Sequence, residues 1–251
     1  MSNEAISSSR PTEELFREDS RLTQCVARVC AVDARGVQLD RTVFYPQGGG
    51  QAGDAGELLL ADGTSLVIAD TRKGEAPGEI VHVPAAEQPE ALSRLRPGVE
   101  VTARIDWERR HRHMRFHTAT HLLCALVPHP VDGCSITAEY ARLDFHMNDA
   151  LDKDALNAGI SRLVAASHPV RHRWISDAEL EANPGLVRTM SVKPPMGSGR
   201  VRLVLIGKDG CVDMQPCGGT HVRATGEIGR LAVTKIEKKG KLNRRIRVAF
   251  A

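Results

Sequence analysis

The chain has 251 residues, of which 41 % are hydrophobic, 26 % charged and 4 % aromatic, with a net charge of +3. That length allows one large domain or two modest ones with proper cores. No apolar run approaches the roughly 20 residues of a membrane span, and the first residues contain no apolar signal core. The charge is too mild to argue for nucleic acid by itself, and the scarce aromatics argue against a stacking platform for single-stranded bases. A cytoplasmic protein, monomeric by default, is expected.

Residues 1–18 are polar, contain three consecutive serines and Pro11, and are expected to fray or stay disordered. From 19 to 106 short alternating segments follow, among them "QCVARVCAVD", "GVQLDRTVFYP", "GELLLADGTSLVIADTRK" and "VEVTARID". Val, Ile, Thr and Leu at period two, punctuated by "ARG", "ADG" and "RPG", predict an antiparallel barrel-like domain. The glycine-rich loop "YPQGGGQAGDAG" interrupts it.

Around Trp107 the period lengthens and predicts a helix from about 109 to 127, stopped by Pro128. A strand begins near Glu139 and ends at "DFHM". "DKDALNAGISRLVAAS" reads as an amphipathic helix with Asp149 or Asp152 as cap. Strands at "VRHRWI" and "VRLVLIG", a short helix at "DAELEA" and a last hairpin turning at Gly240 complete the chain. The whole is expected to be α+β: an antiparallel β-barrel domain (19–106), then a domain over 107–251 with helices packed on a largely antiparallel sheet. Six cysteines form no CxxC pair, so most are expected to be buried thiols of a reducing compartment.

Cys217 is the exception, because it opens "CGGTH". On a helix, His117 and His121 of "HTATH" sit one above the other and can point both imidazoles at one ion. Cys217 and His221 flank two glycines that permit the tight backbone needed to turn a thiolate and an imidazole to one point. Mixed imidazole and thiolate donors suit zinc and argue against magnesium or calcium. The plainer alternative is a structural zinc closed by four protein ligands; a catalytic one keeps or opens a position for water, with His221 the ligand expected to yield. His111, His113, His129, His146, His168 and His172 show no ligand spacing.

With these residues in view the chain resembles the free-standing alanyl-tRNA editing proteins of the AlaX type, related to the editing domain of alanyl-tRNA synthetase. The resemblance runs from "LFREDSRL" through "DRTVFYPQGGGQAGD", "DWERRHRHMRFHTATHLL", "RLDF" and "CGGTHVRATGEIG" to "KIEKKGKLNRRIRV". It implies zinc-assisted hydrolysis of the ester joining a wrong amino acid, serine or else glycine, to the acceptor end of tRNA(Ala). It implies that His117, His121, Cys217 and His221 are the zinc ligands and that Thr120 shapes the amino-acid pocket. It further implies that the loop containing Gly49, Gly50 and Gln51 packs against the editing centre. Where the synthetase domain carries a Gln-x-Gly-Ser stretch, this chain has "PHPVDGCSIT", so Asp132 or Cys134 is placed in that neighbourhood.

Discrimination of serine from alanine requires a partner for the extra hydroxyl. Thr120 is the candidate, with Thr118 or Gln51 beside it; Thr118 alternatively bonds back to its own helix backbone. Phosphate contacts are expected from residues 235–247, where seven Lys or Arg face one Glu. Lys235, Lys238, Lys239, Lys241, Arg244 and Arg245 are the candidates there, with Arg109, Arg110, Arg112 and Arg115 as a second patch. A zinc peptidase is disfavoured, because such helices place a general-base Glu directly after the first His, where this chain has Thr118. A non-enzymatic tRNA-binding module with structural zinc is the other reading.

Overall fold

The computed structural model describes residues 11–187 and 199–251. The chain divides into two compact units, one formed by the stretch up to Gly48 with Gly53–Trp107, the other by Gly49–Ala52 with Glu108–Ala251.

In the first unit a two-residue strand β1 (Glu13–Glu14) is followed by β2 (Gln24–Asp33), β3 (Gly36–Leu39), β4 (Arg41–Thr42), β5 (Gly56–Leu60), β6 (Ser65–Lys73), β7 (Ile80–Pro84), the short helix α1 (Pro89–Ser93) and β8 (Glu100–Ile105). Strands close in the order β2-β3-β7-β6-β5-β8, all neighbours antiparallel. Closure removes the exposed edges an open sheet would carry. The period-two pattern puts Ala27, Val29, Val37, Leu39, Leu58, Leu66, Ile68, Val101 and Ala103 inside. Gly36 (φ +143°) turns beside the His82 carbonyl, where an added Cβ would come within 2.2 Å of the oxygen.

Besides the segment Gly49–Ala52, the second unit contains the helix α2 (Trp107–Leu126) from Glu108 on, then β9 (Val131–Ile136), β10 (Ala141–His146), α3 (Lys153–Ala165), β11 (Val170–Ser176), α4 (Asp177–Glu181), β12 (Arg200–Ile206), β13 (Asp213–Pro216), β14 (Leu231–Gly240) and β15 (Asn243–Phe250). Two antiparallel sheets form, β14-β15-β10-β9 and β11-β12-β13. Met114, Phe116, Ala119, Leu122 and Leu123 of α2 are fully buried, and so are Arg110, His113 and Thr118, which makes it a core helix. Phe116 stacks on Phe250 of β15 at 4.0 Å. Gly159 lets α3 pass close to α2, since a Cβ there would lie 2.8 Å from Leu126 Cδ2. Asp152 caps α3 by accepting from the N–H of Asp154 and Ala155, and Ser176 with Glu179 forms a capping box on α4.

The α+β class and the N-terminal barrel are as the patterning predicts. Several details differ. Residues 1–10 lie outside the described residues, but the segment after them is ordered. Thr12 N–H donates to the Gly78 carbonyl at 3.0 Å, β1 pairs with β4, and Phe16 is fully buried against Tyr45. One aromatic with backbone pairing on both sides suffices to fix this stretch. The helical region carries two sheets in place of one, and β9 and β13 add an edge strand to each beyond the predicted set. Most cysteines are not buried: Cys124 is, whereas Cys30 and Cys211 are exposed. Cys30 continues the outward-facing set Gln24, Val26 and Arg28 of β2, opposite the buried Ala27 and Val29, so the alternation itself exposes it. No helix among the described residues is long and apolar enough to cross a membrane.

His82 is fully buried in the barrel unit, with Nε2 2.8 Å from Thr42 Oγ1 and Nδ1 3.0 Å from the Val37 carbonyl. Burial lowers its pKa from 6.5 to about 4, against the opposing hydrogen bond to Val37. The unfolded chain therefore binds more protons than the folded one between these values, and the imidazole's contribution, complete above pH 6.5, is lost as pH falls to about 4. Urea unfolding across this window should show stability falling by up to about 1.4 kcal/mol per pH unit. His82→Gln should flatten that slope, whatever it does to stability at neutral pH.

Candidate metal centre

Half of the site lies on α2, where His117 and His121 stack one turn apart with ring centroids separated by 5.6 Å. The other half is the turn 217–221, which leaves β13 directly. Arg202, buried on β12, fixes this turn. Its carbonyl accepts the Cys217 N–H at 3.0 Å, and its Nη1 donates to the carbonyls of Cys217 and Gly219 at 3.1 and 3.0 Å. The turn passes so close to α2 that a Cβ on Gly219 would lie 2.1 Å from His117 Cε1 and 2.4 Å from its Nδ1. Only glycine fits there.

The ligand atoms of His117, His121, Cys217 and His221 consequently lie within 4.8 Å of one another, and the group could hold a metal ion. Cys217 Sγ is 3.4 Å from His117 Nε2 and 3.3 Å from His221 Nε2. Zinc bonds of about 2.3 Å to sulfur and 2.0 Å to nitrogen, set tetrahedrally, would place sulfur and nitrogen about 3.5 Å apart. Donor chemistry and spacing both fit zinc.

Each imidazole is held by an acceptor behind it. His117 Nδ1 donates to Gln51 Oε1 at 2.8 Å, His121 Nδ1 to Asp213 Oδ2 at 2.7 Å, and His221 Nδ1 to Thr118 Oγ1 at 3.2 Å. The Thr118 hydroxyl gives its own proton to the Met114 carbonyl at 2.9 Å, so toward His221 it can only accept. With Nδ1 protonated in all three rings, each Nε2 lone pair faces the cluster, as a metal requires. Gln51 also accepts from the Thr220 N–H at 3.1 Å and donates through Nε2 to Thr220 Oγ1 at 2.9 Å, tying the segment Gly49–Ala52 to the ligand turn. That segment lies along β9: Gln51 bridges Ile136 in parallel, and the Ile136 N–H donates to the Gly50 carbonyl at 2.7 Å. Gly50 (φ +85°) is pressed onto Cys134, which a Cβ would approach to 2.9 Å.

Charge follows the same geometry. Burial works against a Cys217 thiolate, but the His117 and His221 imidazoles beside it hold the thiol well below its ordinary 9. Burial likewise opposes a charged His121, yet its hydrogen bonds to Asp213 and Cys217 carry it up to about 10. Burial pushes His221 well below 6.5, against the pull of Cys217. A metal ion there would need Cys217 as thiolate and a free Nε2 lone pair on each ring, so any proton on those atoms would be released on binding.

The remaining expected site residues fall in several places. Thr120 is buried and donates to the His117 carbonyl at 2.7 Å, which leaves its oxygen able to accept. Thr118 is filled by Met114, His221 and the Val222 N–H at 3.3 Å. Asp132 is the extra residue where the β9–β10 register slips, and bonds His146 and Asn243, each at 3.2 Å. The basic hairpin is largely engaged internally. Arg244 is buried and donates to the carbonyls of Asn148 and Asp149, Arg245 grips Asp144 with two hydrogen bonds, and Lys235 and Lys239 both pair with Glu237. Lys238 and Lys241 have no acidic partner among the described residues. The α2 arginines are also built in: Arg110 is fully buried, Arg109 is half-buried, and Arg112 and Arg115 lie over the Phe250 ring while donating to the carbonyls of Ala138 and Ile228.

Asp213, Gln215 and Arg202 were not anticipated as site residues. The one trace in the sequence is the alternation of "VDMQP", which puts Asp213 and Gln215 on the same face of a short strand.

A family model for the threonyl and alanyl tRNA synthetase second additional domain matches residues 201–247, and one for class II (A) tRNA synthetases matches residues 7–109. The chain is 34 % identical over 244 residues to the alanyl-tRNA editing protein AlaX-M of Methanosarcina acetivorans, covering 94 % of this chain and 97 % of that protein. With the protein of the same name from Saccharolobus solfataricus the identity is 30 % over 239 residues, covering 94 % and 97 %. With the alanine–tRNA ligase of Pyrobaculum neutrophilum it is 35 % over 238 residues, which is 90 % of this chain but only 25 % of the ligase.

Gly219 gives a direct test of the geometry. In Gly219→Ala the new methyl group would displace His117, and zinc affinity measured by chelator competition should fall by about tenfold or more. The stabilisation expected of the parent chain on adding zinc, read in thermal unfolding, should shrink accordingly.

Proposed function

We propose a function from one premise: the chain belongs to the AlaX-M family of alanyl-tRNA editing proteins. It is a trans-editing hydrolase that cleaves the ester joining a wrong amino acid to tRNA(Ala), with seryl-tRNA(Ala) the principal substrate and glycyl-tRNA(Ala) a second. The observation that carries this reading is the convergence of His117, His121, Cys217 and His221 on one point. A zinc ion held there would supply Lewis acidity toward the ester carbonyl and acidify a water.

The chain's own groups do the rest. An aminoacyl ester is already activated, so no covalent nucleophile is needed, and Cys217 serves as a ligand. Thr120, whose proton is committed to the His117 carbonyl, accepts from the serine hydroxyl. Alanine would leave that buried oxygen without its partner, which discriminates against the correct amino acid more strongly than an apolar pocket could. Thr118 and Gln51 hold His221 and His117 in place beside the pocket, while Gly49 and Gly50 let the segment bearing Gln51 lie against β9. Phosphates of the acceptor end meet the exposed lysines of the β14–β15 hairpin, Lys238 and Lys241 first.

The test is deacylation of tRNA(Ala) charged separately with serine, glycine and alanine. Serine should be released fastest and alanine retained; cleavage of small amides or peptides with charged tRNA left intact would establish another hydrolase instead. His117→Ala should remain folded by circular dichroism and lose deacylation by at least about 100-fold. Unfolding of that variant without any deacylase activity in the parent would favour a binding module with a structural metal.

Phosphate contact has its own readout. Lys238→Ala and Lys241→Ala should each weaken tRNA binding and lower the slope of log affinity against log salt by about 1. Arg244→Ala should leave that slope unchanged and lower the melting temperature, because its guanidinium is bound to carbonyls within the fold.

A further inference from the structure

The three histidines of the centre are backed by three chemically different acceptors: a carboxylate behind His121, a carboxamide behind His117 and a hydroxyl behind His221. We propose that this difference grades the ligands, with Asp213 a positioning residue that makes His121 the fixed ligand and His221 the ligand that yields its place. The inference rests on the metal-centre reading above.

A histidine ligand binds more tightly when its far N–H is held by a strong acceptor, because that bond fixes the ring and increases electron density at the metal-facing nitrogen. A carboxylate is the strongest of the three acceptors, being charged and engaged at the shortest distance, 2.7 Å. Asp213 is itself immobilised, since its side chain is fully buried and Gln215 Nε2 donates to the same Oδ2 at 2.8 Å. Gln215 lies two residues along β13, so its amide and the carboxylate share one face of the strand. Gln215 Nε2 also lies 3.1 Å from His121 Nδ1, but that nitrogen carries the N–H it donates to Asp213 and cannot accept.

The hydroxyl behind His221 is the weakest support. At 3.2 Å it is the longest of the three contacts, and the same oxygen takes the Val222 N–H at 3.3 Å. His221 also sits at the end of the glycine-containing turn, whereas His117 and His121 are carried by a buried helix. Both the electronic support and the backbone support are smallest at His221. A ligand that lets go would leave a position at the metal for a substrate oxygen while three protein donors remain.

Zinc affinity of the full chain, measured by competition with a chromophoric chelator, tests the order. Asp213→Asn keeps the shape and removes the charge, and should cost 10–100-fold in affinity; Thr118→Val should cost no more than a few-fold. His121→Ala should lose stoichiometric binding, while His221→Ala keeps one zinc per chain at reduced affinity. Gln51→Glu places a carboxylate behind His117 and should tighten binding; it decides the question if Asp213→Asn does not fold. In the cobalt-loaded protein, the visible absorption of His221→Ala should stay that of a bound, more hydrated ion. Equal losses for Asp213→Asn and Thr118→Val, or for His121→Ala and His221→Ala, would overturn the proposal while leaving the metal centre intact. A parent chain that takes up no zinc would overturn the metal reading itself.

Discussion

A helix can aim two imidazoles at one point, but it cannot choose which nitrogen each presents. That choice is made behind the rings, and in this chain the groups that make it come from the segment Gly49–Ala52, from α2 and from β13. The centre is therefore the place where separately formed elements must agree. Gln51 bonds a ligand and the turn that carries two others; Arg202 holds the same turn from β12; Asp213 reaches His121 from the next strand. Because no element carries the whole set, the geometry exists only when the unit is assembled, and a metal bound there would be thermodynamically linked to folding of this region.

Close backbone approach is the second requirement, and it is met by glycine where a side chain would collide. Gly219 under His117, Gly50 against Cys134 and Gly159 against Leu126 remove a Cβ at three contacts in the same unit. Only Gly50 of these has a left-handed backbone, so for Gly219 and Gly159 the demand is for space and not for conformational freedom. This separates two meanings of glycine in "PQGGGQ" and "CGGTH": one loop needs both the left-handed turn and the room, the other needs the room alone.

What could be read from the residues and what could not follows from the range of the interactions. The barrel strands announce themselves by local alternation, and Gln24–Asp33 coincides with the segment "QCVARVCAVD". His117 with His121, and Cys217 with His221, are four-residue spacings, so each pair is a local signal, and their types make the joint site legible. Asp213 is 92 positions from the ring it orients, and a single carboxylate in a four-residue strand carries no local signature. β9 is harder still. Asp132 and Gly133 interrupt its pattern with a bulge, and it becomes a strand because β10 and the segment Gly49–Ala52 supply partners on both sides. Thr118 is the instructive intermediate case: its proton goes back to the helix, as a buried helix threonine's commonly does, and the oxygen so oriented is what accepts from His221.

Charge counting misleads for a related reason. Residues 235–247 carry a local surplus of six positive charges in the sequence, but Arg244 is buried and Arg245 part-buried, while Lys235 and Lys239 are paired with Glu237 yet stay exposed. Arg244 is bound to backbone carbonyls, Arg245 and Arg142 share Asp144, and Lys235 and Lys239 share Glu237. Of the α2 arginines, Arg112 and Arg115 are packed over Phe250 and Arg110 is buried, with the long stem and planar head used as core material. Lys238 and Lys241, which have no acidic partner among the described residues, lie at the tip of the hairpin beside the exposed Leu242. Lysine ammonium groups act as point charges on flexible stems, without the fixed fork that would dictate one phosphate geometry. On the proposed reading such a surface would steer an acceptor end by its field and hold it weakly, leaving selection to Thr120, whose buried oxygen can distinguish one hydroxyl from none.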